Sequence, residues 1–228
     1  MTNWIDKIAA LIYSWYPGQI GNIALAEILS GKTNPSGKLP ITIEKEFKDS
    51  PGYDYMPKGE NVNTDWEDDF NMDFPIHNIE YKEGIFVGYR WYEKKKIEPL
   101  FPFGYGLSYT TFSYSDLKLS KPEFMKEENV TLQFNLSNTG GIDGAEITQV
   151  YIRDIESSVP RPIKELKGFK KVFLKSGESK TVRISLDVKD FAFWDLEKKD
   201  WDAEPGQFEI MIGTSSDDIK LKSIVTLL

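Results

Sequence analysis

The sequence predicts a mainly β chain. An antiparallel two-sheet sandwich occupies the second half, and the tail of a layered α/β domain precedes it. Three observations carry this reading. From about Phe112 onward, short alternating stretches recur at regular intervals between turn signals. Before residue 44, apolar residues fall at helical spacing, with too few strands to cover them. Between the two lies a stretch of Pro, Gly, Asn and acid, residues 44–80, too long to be an ordinary connection.

The first elements justify the α/β part. Trp4, Ile8, Leu11, Ile12 and Trp15 recur at helical spacing, Asn3 can cap, and Pro17-Gly18 stops the run, so a helix is expected over residues 3–16. A second, shorter helix fits GNIALAEILSG, with Gly31 just past its end. NPSG is a turn and KLPITI (38–43) a short strand. Two helices and one strand cannot bury their apolar faces on each other, so a sheet lying elsewhere is implied. GIFVGYRWY (84–92) reads as a strand apolar on both faces.

The sandwich elements follow as TFSYSDLKLS, NVTLQFNLSN, AEITQVYIRD, KELKGFKKVFL, KTVRISLDV, KDFAFWDL, GQFEIMIGTS and IKLKSIVTL. Val130, Leu132, Phe134 and Leu136 alternate and give one inward face. Seven or eight such strands match an immunoglobulin/fibronectin type III-like β-sandwich.

Bulk composition narrows function. The 228 residues are 40% hydrophobic and 14% aromatic, with 6 Trp, 11 Tyr and 14 Phe, a surplus that fits interfaces or carbohydrate contact. A net charge of -8 argues against nucleic-acid or anionic-membrane partners. With no cysteine, disulfides, thiol nucleophiles and Cys-based zinc sites are excluded. No run of about 20 apolar residues offers a membrane span, and the opening residues do not read as a signal peptide.

GKT (31–33) resembles the end of a phosphate loop, but Ala26 stands where glycine is required. Gly104-Tyr105-Gly106 starts a dinucleotide fingerprint that Tyr109 breaks. Ser108 lacks its hydrolase elbow, because Thr110 replaces glycine. His77, the one histidine, has no nucleophile motif beside it and reads as a loop residue. The acids of residues 65–73 could hold calcium, yet Phe70 and Ile76 break the EF-hand pattern. Glu80 and Glu83 could be nominated as glycosidase carboxylates, with nothing to lift them above surface acids. The aromatics of FPFGYGLSYT (101–110) could line a pocket or fasten two layers. The fastener is favoured, with Phe101, Phe103 and Tyr109 expected to be mostly buried.

Two long blocks are specific enough to identify a family. WYPGQIGNIALAEILSGKTNPSGKLPIT and YKEGIFVGYRWYEKKKIEPLFPFGYGLSYTTFSYSDL resemble the C-terminal part of family 3 glycoside hydrolases of the β-glucosidase type. NTGGIDGAEITQVYIRD, VPRPIKELKGFKKVFLKSGESKTV and EPGQFEIMIGTSSDDI resemble that family's fibronectin type III-like module. The resemblance implies that residues 1–111 are the C-terminal remnant of the α/β sandwich domain with its connecting segment, and residues 112–228 the fibronectin type III-like domain. It implies a parent enzyme that hydrolyses β-glycosidic bonds with retention, in the periplasm or secreted. It places both catalytic carboxylates in regions outside this sequence, so no catalytic, cofactor-binding or metal residue is assigned here and no cofactor is expected. The expected partner is the missing N-terminal catalytic half. The alternative is a stand-alone module binding carbohydrate or protein. Residues 1–43 are expected to be loosely held or to drive self-association through exposed apolar area.

Overall fold

The computed structural model describes residues 2–55 and 80–228. Strict alternation builds the sandwich. In β3 (Val130–Asn138) the side chains of Val130, Leu132, Phe134 and Leu136 are fully buried while their neighbours are half-exposed, the period-two pattern of a strand with one face inward. β1 (Phe112–Leu119) and β6 (Ser179–Leu186) flank it antiparallel in a three-stranded sheet.

The facing sheet has five strands. β4 (Gly144–Asp154) pairs on one side with β5 (Glu165–Leu174) and on the other with β9 (Gly206–Gly213). β10 (Ile219–Leu227) pairs with β9, and the two-residue β2 (Glu123–Phe124) adds a parallel edge to β10. Between the sheets lies one apolar cluster that includes Phe124, Phe134, Leu174, Phe191, Phe208 and Ile210. Phe191 stands edge-on to Phe208 at 5.1 Å between ring centroids.

KDFAFWDL, expected as one strand, divides. Residues 188–191 form a short helix, α3 (Val188–Phe191), capped by the Asp187 side chain, which accepts from Lys189 N. The remainder forms β7 (Phe193–Asp195), which makes a separate ribbon with β8 (Asp200–Asp202). The cap divides the segment: Asp187 and Asp190 bond each other's backbone N–H and fix a helical turn.

The first part of the chain departs further from expectation. The short helix forms as α1 (Gly21–Leu29), with Gly31 in the left-handed region at φ +74 past its end. The longer helix over residues 3–16 does not form. Only a 3₁₀ turn, Ile5–Lys7, is present, Ile8 is already extended, and Trp15 has a positive φ of 52. Trp4, Ile8, Leu11, Ile12 and Trp15 are all exposed. Apolar periodicity makes a helix only when a surface receives its face, and none among the described residues covers this one.

Two further expectations are corrected. KLPITI is not a strand: only Ile43 and Phe101 form a bridge, because Pro40 has no N–H to donate. GIFVGYRWY is not a strand either. Gly88, at φ +55, turns the chain into the helix α2 (Tyr89–Lys95), which buries Tyr89 and Tyr92 one turn apart. Only residues 89–92 of this stretch are helical; Ile85 and Val87 precede the helix and are exposed, so the apolar character at both strand faces did not make a strand.

Candidate functional site

The polar and aromatic groups drawn together from distant parts of the chain lie along one seam. On one side are the arm segments 34–43 and 101–110 with α2. On the other are β4 and the turn between β9 and β10. The two arm segments are laced to each other: Leu39 N donates to Tyr105 O at 2.8 Å, Gly104 N to Leu39 O at 2.7 Å, and Ile43 N to Phe101 O at 2.9 Å.

Three clasps fix the arm to the sandwich. Gln149, a buried polar residue on β4, donates from Nε2 to Gly104 O at 3.1 Å and to Thr214 O at 2.6 Å, while its Oε1 accepts from Tyr151 OH at 2.6 Å. Its carboxamide therefore has a partner at both ends, which is what permits burial. Asn34 accepts from Ser108 Oγ at 3.0 Å and Tyr109 N at 2.8 Å, and donates to Asp143 O at 3.0 Å. Lys38 donates to Gly106 O at 3.0 Å and pairs with Glu146 at 3.0 Å, both side chains nearly sealed from water.

Around the clasps is a small second core of Tyr89, Tyr151 and Met211, with Phe103, Leu166 and Ile219 against it. Tyr89 packs against Phe103 at 5.0 Å and edge-on to Tyr151 at 5.9 Å, and its hydroxyl accepts from Leu166 N at 2.8 Å. Phe103 O accepts from Ser216 N at 2.9 Å. Phe101 and Phe103 are half-buried, as a fastener requires, whereas the Tyr109 side chain remains 46% exposed, its hydroxyl donating to Ile28 O at 2.8 Å. That corrects the expectation of a buried Tyr109. The glycines of the arm are needed for close approach. A Cβ on Gly104, at φ +80, would stand 2.1 Å from Gln149 Oε1, and one on Gly106 would stand 2.2 Å from Gly37 O.

Burial shapes the charges. Desolvation pushes the Glu146 carboxyl up from 4.5, with the Lys38 ammonium pulling the other way. Glu93 on α2 is likewise raised by desolvation against the pull of Lys164, with which it is ion-paired. Tyr92 is pushed up to about 12, first by burial and then by Glu44 and Asp49. Under the sandwich, Arg161 satisfies Asp154 at 3.2 Å, Glu165 at 2.8 Å and the Phe191 carbonyl at 2.9 Å.

The residues nominated for chemistry are not gathered here. Ser108 spends its hydroxyl on Asn34 and on Thr110 N. Lys32 and Thr33 of GKT both bind the Glu27 side chain at the end of α1 and form no phosphate cradle. Glu80 pairs with Lys82 at 3.4 Å, and Glu83 accepts from Tyr55 OH. His77 and residues 65–73 lie outside the described residues. Among the described residues, no group of three or more His, Asp or Glu is placed to hold a metal ion. Asn34, Gln149, Glu146 and Ser216 were not singled out from the sequence. The available signal was a polar residue inside an apolar run, as Glu146 and Gln149 are in AEITQVYI.

A two-sheet, fibronectin-like sandwich clasped to an arm of short helices and extended segments is the class that fold and seam define. Residues 1–109 match the family model for the glycosyl hydrolase family 3 C-terminal domain, and residues 146–216 the one for the fibronectin type III-like domain. The chain belongs to the family 3 glycoside hydrolases and corresponds to their C-terminal portion. It is 46% identical over 222 residues to thermostable β-glucosidase B of Acetivibrio thermocellus, a match covering 97% of this chain and 27% of that protein. A β-glucosidase of Bacteroides ovatus is 42% identical, with 95% and 27% covered. Among solved structures, β-glucosidase 3B from Thermotoga neapolitana, in complex with α-D-glucose, superposes with a TM-score of 0.85 at 35% identity, covering 99% of this chain and 29% of that one. A family 3 β-glucosidase from Bifidobacterium adolescentis gives 0.81 at 38% identity, with 94% and 29% covered. The chain thus spans about a quarter of the length of the curated relatives it matches.

Proposed function

We propose that this chain is a structural part of a β-glucosidase-type enzyme, completed by an N-terminal catalytic half, and that it has no hydrolytic activity alone. The parent reaction in this reading is hydrolysis of a β-glycosidic bond with retention of configuration, which needs two carboxylates about 5–5.5 Å apart across the bond. The role of the chain is to present an apolar surface on which the catalytic half docks. The seam would hold that surface to the sandwich.

The observation that carries this reading is the apolar surface of residues 4–29. Trp4, Tyr13, Trp15, Ile20, Ile23 and Leu29 are each exposed, and Tyr16 is 99% exposed. So many large apolar side chains left in water within one short segment support a docking role for it. The charged side chains nominated for catalysis are meanwhile occupied with local partners.

Complementation tests it. The chain is mixed with the N-terminal part of a close relative, and p-nitrophenol release from an aryl β-glucoside is followed. The expected result is no release by the chain alone and release by the mixture beyond that of the N-terminal part. Turnover by the chain alone, well above a heat-killed control, sinks the proposal.

A further inference from the structure

Two of the six tryptophans stand opposite each other on the β7–β8 ribbon. Trp194 and Trp201 are cross-strand partners, their ring centroids 5.9 Å apart and their planes at 81°. Such a pair stabilises a short ribbon, which is its ordinary role. That role does not account for their exposure, 49% for Trp194 and 58% for Trp201. The ribbon also has polar fastenings of its own. Lys198 pairs with both Asp195 and Asp202, and Lys126 pairs with Asp202 at 3.1 Å.

Trp201 also lines an open cleft of about 320 Å³, together with Leu166 and Lys167 of β5 and Lys189 and Asp190 of α3. That volume lies within the roughly 300–1,000 Å³ of small-molecule sites. The walls rest on fixed elements. The Asp190 carboxylate accepts from Asp187 N at 2.9 Å, and Arg161 holds the end of α3 by donating to Phe191 O at 2.9 Å. The polar groups remain within reach of solvent: Lys189 is exposed, Asp190 is half-buried, and the Lys167 side chain is 14% exposed beside Glu165.

The chemistry of these walls restricts the occupant. Two ammonium groups disfavour a metal cation, and the Asp190 carboxylate disfavours an anion. A neutral polyol suits both, because its hydroxyls accept from the ammonium groups and donate to the carboxylate. The exposed indole adds a flat apolar surface. A pyranose with every hydroxyl equatorial, as in β-linked glucose, turns an unobstructed face of axial C–H bonds to such a surface. The two indoles are nearly perpendicular and form no common plane, so a soluble chain fits here and a flat crystalline face does not.

We propose that the cleft beside Trp201 binds soluble β-linked gluco-oligosaccharides, with one sugar ring stacked on the Trp201 indole and its hydroxyls held by Lys189 and Asp190. None of the walls belongs to residues 4–29, so the site does not depend on the docking proposed above. Complementation reads activity and this site reads binding, and either can fail without the other.

Nitrogen–proton NMR of the full chain, titrated with cellotetraose, tests this. A saturable shift of the Trp201 indole N–H is expected, with the indole signals of Trp4 and Trp15 unmoved. Trp201→Ala should weaken binding about tenfold, and Trp201→Tyr, which keeps a flat ring, should retain most of it. Lys189→Ala, on α3 and outside the ribbon, should weaken binding about threefold, the worth of one ordinary hydrogen bond. The proposal is overturned if no saturable shift of the Trp201 signal appears, or if Trp201→Ala and Lys189→Ala both bind as tightly as the wild type. Retention of the chain on crystalline cellulose, with no response to cellotetraose, overturns it as well.

Discussion

Phe134 and Trp15 are both large apolar side chains on segments whose periodicity points to a regular element. Phe134 is sealed between two sheets, and Trp15 stands with about half its surface in water. The difference runs through both regions. The sandwich closes an interior within its own chain, whereas only Gly21, Ile43 and Gly52 are buried in residues 2–55. Hydrophobic pattern specifies a face, and the fold depends on whether the chain also supplies what covers it. The N-terminal part is joined to the sandwich by directional polar clasps and a small aromatic cluster more than by a shared core.

The largest contrast should appear in amide exchange. Residues 130–138 and 206–213 are expected to exchange only through global unfolding, and residues 4–20 almost without protection. Equal protection of the two in a monomer would break the comparison. Within the sandwich, Phe134→Ala should cost about 3–5 kcal/mol in chemical denaturation, the range for an aromatic lost from a closed core. A loss under 1 kcal/mol would mean that the site collapses without penalty.

At the clasps the effects should be smaller and local. Asn34→Ala removes acceptors from Ser108 Oγ and Tyr109 N and a donor from Asp143 O, and should cost about 1–3 kcal/mol of arm attachment. Proteolysis within 101–111 should quicken while the unfolding midpoint of the sandwich stays in place. A midpoint that falls in parallel would show that arm and sandwich unfold as one unit.

A gentler effect concerns pH. Burial raises the Glu146 carboxyl above 4.5, so the folded state holds that proton more tightly than the unfolded chain does. Its contribution is fully present below the unfolded value near 4.5 and is lost as pH rises through the raised folded value. The stability of the wild type relative to Glu146→Gln should therefore decline as pH rises from 4.5. A difference that grows with pH would mean that Lys38 outweighs desolvation. Smallest of all, Lys32→Ala at the exposed pair with Glu27 should leave Tm within experimental scatter.

Most of the sandwich was legible because one signal, period two between turn residues, was also the physical cause of the strands. Val130 to Leu136 alternates, and burial follows that alternation. The failures came where two causes competed. Residues 84–92 have apolar side chains on both strand faces, and the turn at Gly88 starts a helix only from Tyr89, where the seam buries it. Residues 3–16 have a helical period without a receiving surface. The Pro and Gly content of the aromatic arm points to a fastener, but its clasps depend on Asn34 and Gln149, residues far apart in sequence. Nothing local in the sequence reveals a hydrogen bond spanning 45 residues, such as that from Gln149 to Gly104.

The seam also dictates how this chain can be recombined with its relatives. Gly104 and Gln149 occupy one another's space, and a change at either must be matched at the other. A chimera that exchanges only residues 112–228 would separate Gly104 from its carboxamide, Asn34 from the Asp143 carbonyl and Lys38 from Glu146. The exchangeable unit is discontinuous: the sandwich together with residues 34–43, α2 and residues 101–110. Crossover points for domain shuffling therefore belong outside those arm segments, even though the sandwich begins at Phe112.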